Sequence, residues 1–148
     1  RAARFLQKEI PDQGVCKFTT LATELMAVRA RQTIGLLQQL REEFEDLELP
    51  ILIKLGYQVD GAADGEREHL WFQVHGLTDD HVDATLVNQP FNIAAMNEGD
   101  RGHHDLDRLT DWTVMSPIGS VTPRDISVAR VLREHHDVIR EKMREAQD

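Results

Sequence analysis

The sequence predicts an α+β fold: an N-terminal helix packed on a small, mainly antiparallel sheet, barrel-like if it curls, with a C-terminal helix. Three observations carry this prediction. Apolar residues from Leu21 to Leu47 fall at gaps of three, four and six, which suits one face of a helix. After Pro50 the period drops to two, and short alternating runs separated by turn residues continue until a helical pattern returns near Thr122. That order, helix then strands then helix, is segregated rather than alternating. With no helix between most strands, parallel crossovers are not available, so the sheet should be largely antiparallel.

The elements follow in order. The opening "RAARFLQKEI" is short and amphipathic, and Pro11 with "DQG" ends it in a loop. Residues 1–19 thus read as an N-terminal extension and residues 20–148 as a single domain. Thr20 is placed to cap a helix over residues 20–46, with Glu24 near the positive end of its dipole. Its apolar face is Leu21, Leu25, Val28, Ile34, Leu37, Leu40, Phe44 and Leu47. Gly35 costs on the order of 1 kcal/mol relative to Ala, which marks a kink or a close contact. Pro50 ends the helix.

"ILIKLGYQV" reads as a strand, and "DGAADGERE" as the loop after it. In "HLWFQVHGL", Leu70, Phe72 and Val74 alternate against His69, Trp71, Gln73 and His75. "TDDH" turns the chain into "VDATLVN", where Val82, Ala84 and Leu86 form the apolar set. "QPFNIAAMNEGD" is a loop or short edge strand, since Pro90 cannot donate to a ladder. A strand follows Asp100, and "DWTVMSP" gives another. Thr122 as cap and Pro123 at the first helical position open the last helix, whose distal third is a solvated face.

Composition narrows the function. A chain of 148 residues suits one domain, which buries roughly two-thirds of the surface its unfolded form exposes. The 26 acidic against 17 basic side chains give a net charge of −9, and no stretch collects Lys and Arg. Nucleic acid is therefore not an expected partner, because phosphate binding needs neutralising cations. The single cysteine, Cys16, allows no intrachain disulfide, and with only Lys17 beside it no base is at hand to activate it. No apolar run is long enough to cross a membrane, so a cytoplasmic protein is expected. The chain opens "RAARF" without a methionine, which leaves room for a longer parent and a lost targeting segment.

Four motifs then fall in a recognisable order. They are "ARQTI" in the helix, Glu68 and Trp71 in "EHLWFQV", Asn88 and Pro90 in "LVNQPFNI", and Gly99, Asp100, Asp111 and Trp112. In these the chain, from about residue 28 to 124, resembles the YegJ-like bacterial domain-of-unknown-function family (DUF2314 type). The resemblance implies no activity. It departs where this chain has Gly102 in place of a β-branched residue, and residues 1–27 lie outside it.

The candidate binding residues are Glu68, Trp71, Asn88, Pro90, Asp111 and Trp112. Aromatics on a strand face can stack on a ligand or fill a core. Asn88 and Pro90 can shape a binding lip or a turn. Glu68 and Asp111, if close, would split their pKa values as a general acid and base do. No phosphate loop, nucleophile elbow, His-Glu-x-x-His or paired Cys-x-x-Cys occurs. The preferred reading is a non-catalytic binding module for a protein or peptide, with no catalytic residue and no cofactor. The alternative is a small acid/base or metal-dependent hydrolase using Glu68, Asp111 and nearby histidines. In "GDRGHHDLDRLTDW", His103 and His104 should point to opposite faces of a strand, which argues against a tight metal site.

Overall fold

The computed structural model describes residues 12–62 and 65–147, with the backbone alone for residues 12–19. The expected helix over residues 1–10 and the chemistry of the Cys16 thiol lie outside what is described. Helices α1 (Asp12–Gln32), α2 (Ile34–Glu43), α3 (Ser127–Glu134) and α4 (His136–Gln147) flank strands β1 (Ile51–Gln58), β2 (Arg67–Leu77), β3 (His81–Leu86), β4 (Arg101–Asp105), β5 (Leu109–Ser116) and β6 (Gly119–Val121). The strands form one antiparallel sheet in the order β4-β3-β2-β1-β5-β6, open at both edges rather than closed as a barrel.

Register explains the core. Ile53 pairs with Phe72 on one side and Trp112 on the other, and Phe72 pairs with Leu86. These four side chains form a row across four strands, and all are buried. Alternation carries Leu55, Leu70, Val82, Ala84 and Val114 to the same face, where Ala30, Leu37, Leu40 and Phe44 of the helices cover them. The Trp112 indole N–H donates to Thr33 Oγ1 at 3.1 Å, so the largest core side chain is satisfied by the residue joining α1 to α2.

The helical expectations need four corrections. Asp12, Gln13 and Gly14 lie in α1 rather than a loop, so Thr20 sits inside the helix and not at its start. Neither the kink nor the close contact expected at Gly35 is there, since an added Cβ would meet nothing within 4 Å; the helix breaks two residues earlier, at Thr33, whose hydroxyl donates to Arg29 O at 2.7 Å and competes with the backbone ladder. Across that break the buried face changes. Ala27 and Ala30 face the core in α1, while Leu21, Leu25 and Val28 are exposed. The last helix begins at Ser127 rather than Pro123, because Thr122 Oγ1 accepts the Asp125 N–H in a tight turn and Asp125 Oδ1 takes the Ser127 N–H. β6, with its hairpin through Gly119, was not expected. There Ser116 Oγ donates to Gly119 O at 2.6 Å.

Candidate functional site

Between β3 and β4 the chain leaves the sheet over residues 87–98 and returns to where it left. Leu86 N–H donates to Asp100 O at 2.9 Å, and Gly99 N–H donates to Leu86 O at 2.8 Å. Gly99 has a φ of 93°, a conformation that a side chain would strain. This is a compact loop with tied ends, of the kind that carries function at a protein surface.

Three acceptors fix its path. Asn88 Oδ1 accepts the Trp71 N–H at 3.0 Å, while Val87 N–H donates to Trp71 O at 3.0 Å. Glu68 spreads one carboxylate over two successive amides, taking Phe91 N–H on Oε2 and Asn92 N–H on Oε1, each at 2.9 Å. Asp60 accepts the Ala94 N–H at 2.8 Å and donates its own N–H to Asn92 O. Hydrogen bonds to a charged acceptor are roughly twice as strong as neutral ones, so the Glu68 pair is the firmest of these ties. Pro90 and Ile93 are buried beneath the loop. Phe91, between them, is 92% exposed.

Four of the six candidate residues thus meet here. Glu68 and Asn88 hold the loop, Pro90 anchors it, and Trp71 supplies the backbone it docks on. Trp71's half-buried ring lies on the sheet face that the helices leave open, with Lys54 Nζ 5.2 Å from its centroid. Asp111 flanks Lys54 on the other side but is 3% exposed and committed elsewhere. Arg124 grips it with both guanidinium nitrogens at 3.1 Å, and the Trp112 N–H donates to it at 2.9 Å. Trp112 itself faces the helices. Glu68 and Asp111 stand two strands apart, opposite Tyr57 and Lys54 respectively, which places them about 10 Å apart across the sheet and about 10 Å along it. The acid/base pair does not form.

The histidines of "GHHD" divide as alternation requires. His104 packs on Phe72, with ring centroids 4.5 Å apart, and its Nδ1 shares a hydrogen bond with the Tyr57 hydroxyl, whereas His103 lies on the exposed side. Burial lowers the His104 pKa, helped by His103 and Arg108, and burial raises that of Tyr57. His69 is lowered by burial and by the charges of Lys54 and Arg67. Among the described residues no group of three or more His, Cys, Asp or Glu is placed to hold a metal ion. Two concavities among the described residues lie away from the loop. One, of about 540 Å³, runs between Leu40, Phe44 and Val74, and one of about 340 Å³ lies between Ile118, Val131 and Ile139. No helix among the described residues is long and apolar enough to cross a membrane.

Sequence reasoning missed Phe91. Its signal was a large aromatic just after Pro90, in a stretch whose period offers no face on which to bury it. No curated protein and no solved structure matches this chain. A family does: over residues 27–123, which include the whole sheet and the loop, the chain belongs to the bacterial family described as an uncharacterized protein conserved in bacteria (DUF2314).

Proposed function

We propose that this protein is a non-catalytic interaction module whose contact with a protein or peptide partner is centred on loop 87–98, with Phe91 as the anchor. The observation that carries this reading is a mismatch between order and burial. Phe91 presents nearly its whole side chain to solvent, yet its amide is held by Glu68, and the loop on either side of it is tied down through Asn88 and Asp60. Ordering a loop costs roughly 1–2 kcal/mol per residue, and an exposed Phe returns none of that to the fold. It returns it on binding, because a preorganised aromatic loses little entropy when a partner's pocket closes around it. Glu68 is here a clamp for the loop, and Asp111 a buried partner for Arg124, so neither carboxylate is free for acid/base work.

Placing the photocrosslinking residue p-benzoylphenylalanine at position 91, and separately at the exposed Glu98 as a control, tests the reading. A discrete protein adduct from position 91, weaker from position 98 and lost when Glu68→Ala frees the loop, supports it. Equal crosslinking from both positions contradicts it.

A further inference from the structure

The outer edge of β4 carries hydrogen-bonding groups that the fold does not use. β4 is the outermost strand and pairs with β3 alone, over Arg101 to Asp105. Alternation decides which of its backbone groups β3 takes. Leu86 N–H donates to Asp100 O and Leu106 N–H to Asp80 O, so Asp100, Gly102, His104 and Leu106 bond inward. The N–H and C=O of Arg101, His103 and Asp105 therefore point away from the sheet, and no other backbone group among the described residues meets them. The other edge is closed off. β6 is only three residues long, and Gly119 within it lies so near α3 that an added Cβ would sit 3.4 Å from Val128.

The same three residues of β4 are exposed and set their side chains on the sheet face that the helices leave open. Arg101 donates from Nε and Nη2 to Asp83 at 3.1 and 2.8 Å, which leaves Nη1. Asp105 accepts the Asp107 N–H on Oδ1 at 2.9 Å, which leaves Oδ2. Charges on an exposed edge ordinarily repel a strange strand. Here their order of cation, imidazole and carboxylate is its own complement. A second copy turned antiparallel about His103 sets Arg101 opposite the partner's Asp105 and Asp105 opposite the partner's Arg101, and all the outward N–H and C=O groups pair. Parallel pairing would instead oppose Arg101 to Arg101 and Asp105 to Asp105. On the other face Gly102 meets the partner's His104 at a position where side chains come closest, and glycine offers nothing to crowd the ring.

We propose that β4 is a self-association edge: two copies of this chain pair antiparallel about a two-fold axis at His103 and continue the six-stranded sheet from one copy into the other. The inference goes beyond the interaction-module reading and does not rest on it. Five residues a side fall short of the roughly 1,200 Å² at which stable interfaces begin, so the dimer is weak, with a dissociation constant on the order of 0.1 mM.

Sedimentation equilibrium of the full chain between about 10 μM and 1 mM brackets that constant and tests the proposal. A reversible monomer–dimer equilibrium is expected. His103→Pro removes an outward N–H that β3 does not use, so it should raise the dissociation constant at least tenfold without lowering the melting temperature. His103→Lys, which keeps the backbone donor and opposes two ammoniums at the axis, should do the same and stands in if the proline variant melts early. Asp105→Asn keeps an acceptor for the Asp107 N–H but loses the charge, and should weaken the dimer less than either. Phe91 lies in the loop, so Phe91→Ala should leave the equilibrium unaltered. A monomer throughout the range, or a dimer as tight in His103→Lys as in the parent, overturns the proposal.

Discussion

Two rows of side chains one residue apart on the same strands have opposite fates. Leu86, Phe72, Ile53 and Trp112 are sealed under the helices, while Trp71, Lys54 and Asp111, their neighbours in sequence, face away from them. The first row is uniform and apolar. The second mixes an aromatic, an ammonium and a carboxylate that takes its partner from outside the sheet. The contrast teaches that in this fold the period of two sorts what the helices seal from what they leave uncovered. A change on the covered face should act on the whole molecule, and so should the loss of Asp111's partner, since that carboxylate alone in the second row is buried, whereas a change at Trp71 or in the loop should cost the fold less.

The sharpest break of the comparison is Trp112→Ala. Losing a fully buried indole and its hydrogen bond to Thr33 should cost about 3–5 kcal/mol in urea unfolding, against under about 2 kcal/mol for Trp71→Ala on the half-buried face. Equal costs would erase the distinction between the rows. Arg124→Ala comes next, because it strands Asp111 without its charged partner, and a loss of about 2–3 kcal/mol is expected. Arg124→Lys should recover part of it, since an ammonium keeps the charge but not the two-pronged geometry.

A smaller effect separates His104 and His69 from the exposed histidines. Both are held below the usual 6.5, chiefly by burial, so below that pH the unfolded chain takes up protons that the folded one refuses. Stability should therefore fall as pH drops below about 6.5 toward the lowered folded values, and His104→Gln should flatten the decline. His81, raised by its hydrogen bond to Asp80, works in the opposite sense. What it contributes is present below 6.5 and fades as pH rises through its folded pKa, and solvent screening at this exposed pair keeps that contribution small. A stability that rises on acidification from pH 7 to 5.5 would contradict the buried-histidine reading. Least disruptive is Glu68→Ala, which should lower hydrogen-exchange protection at Phe91 and Asn92 while moving global stability by only about 1 kcal/mol.

The covered face was legible in the sequence because alternation needs only local reading. Leu70, Phe72, Val82, Ala84 and Leu86 declare themselves as a buried set, and Trp112 follows from its place in "DWTVM". The helix face was harder. Leu21, Leu25 and Val28 fit the same apolar pattern as Leu37 and Leu40, yet the break at Thr33 lets the small Ala27 and Ala30 approach the sheet in their stead. The sequence picks out candidate residues but not the contacts they make. Glu68 reads as an acid until its two amide partners, more than twenty positions downstream, come into view.

The central claim is that the loop is ordered by the fold and spent on a partner. Comparing Phe91→Ala with the parent protein tests it directly, through unfolding free energy and affinity for the protein crosslinked at position 91. The account predicts stability unchanged within about 0.5 kcal/mol and affinity reduced at least tenfold, because the side chain is exposed in the free protein and buried only in the complex. A variant that loses more than about 2 kcal/mol of stability yet binds as the parent does would make Phe91 a part of the fold and contradict the account.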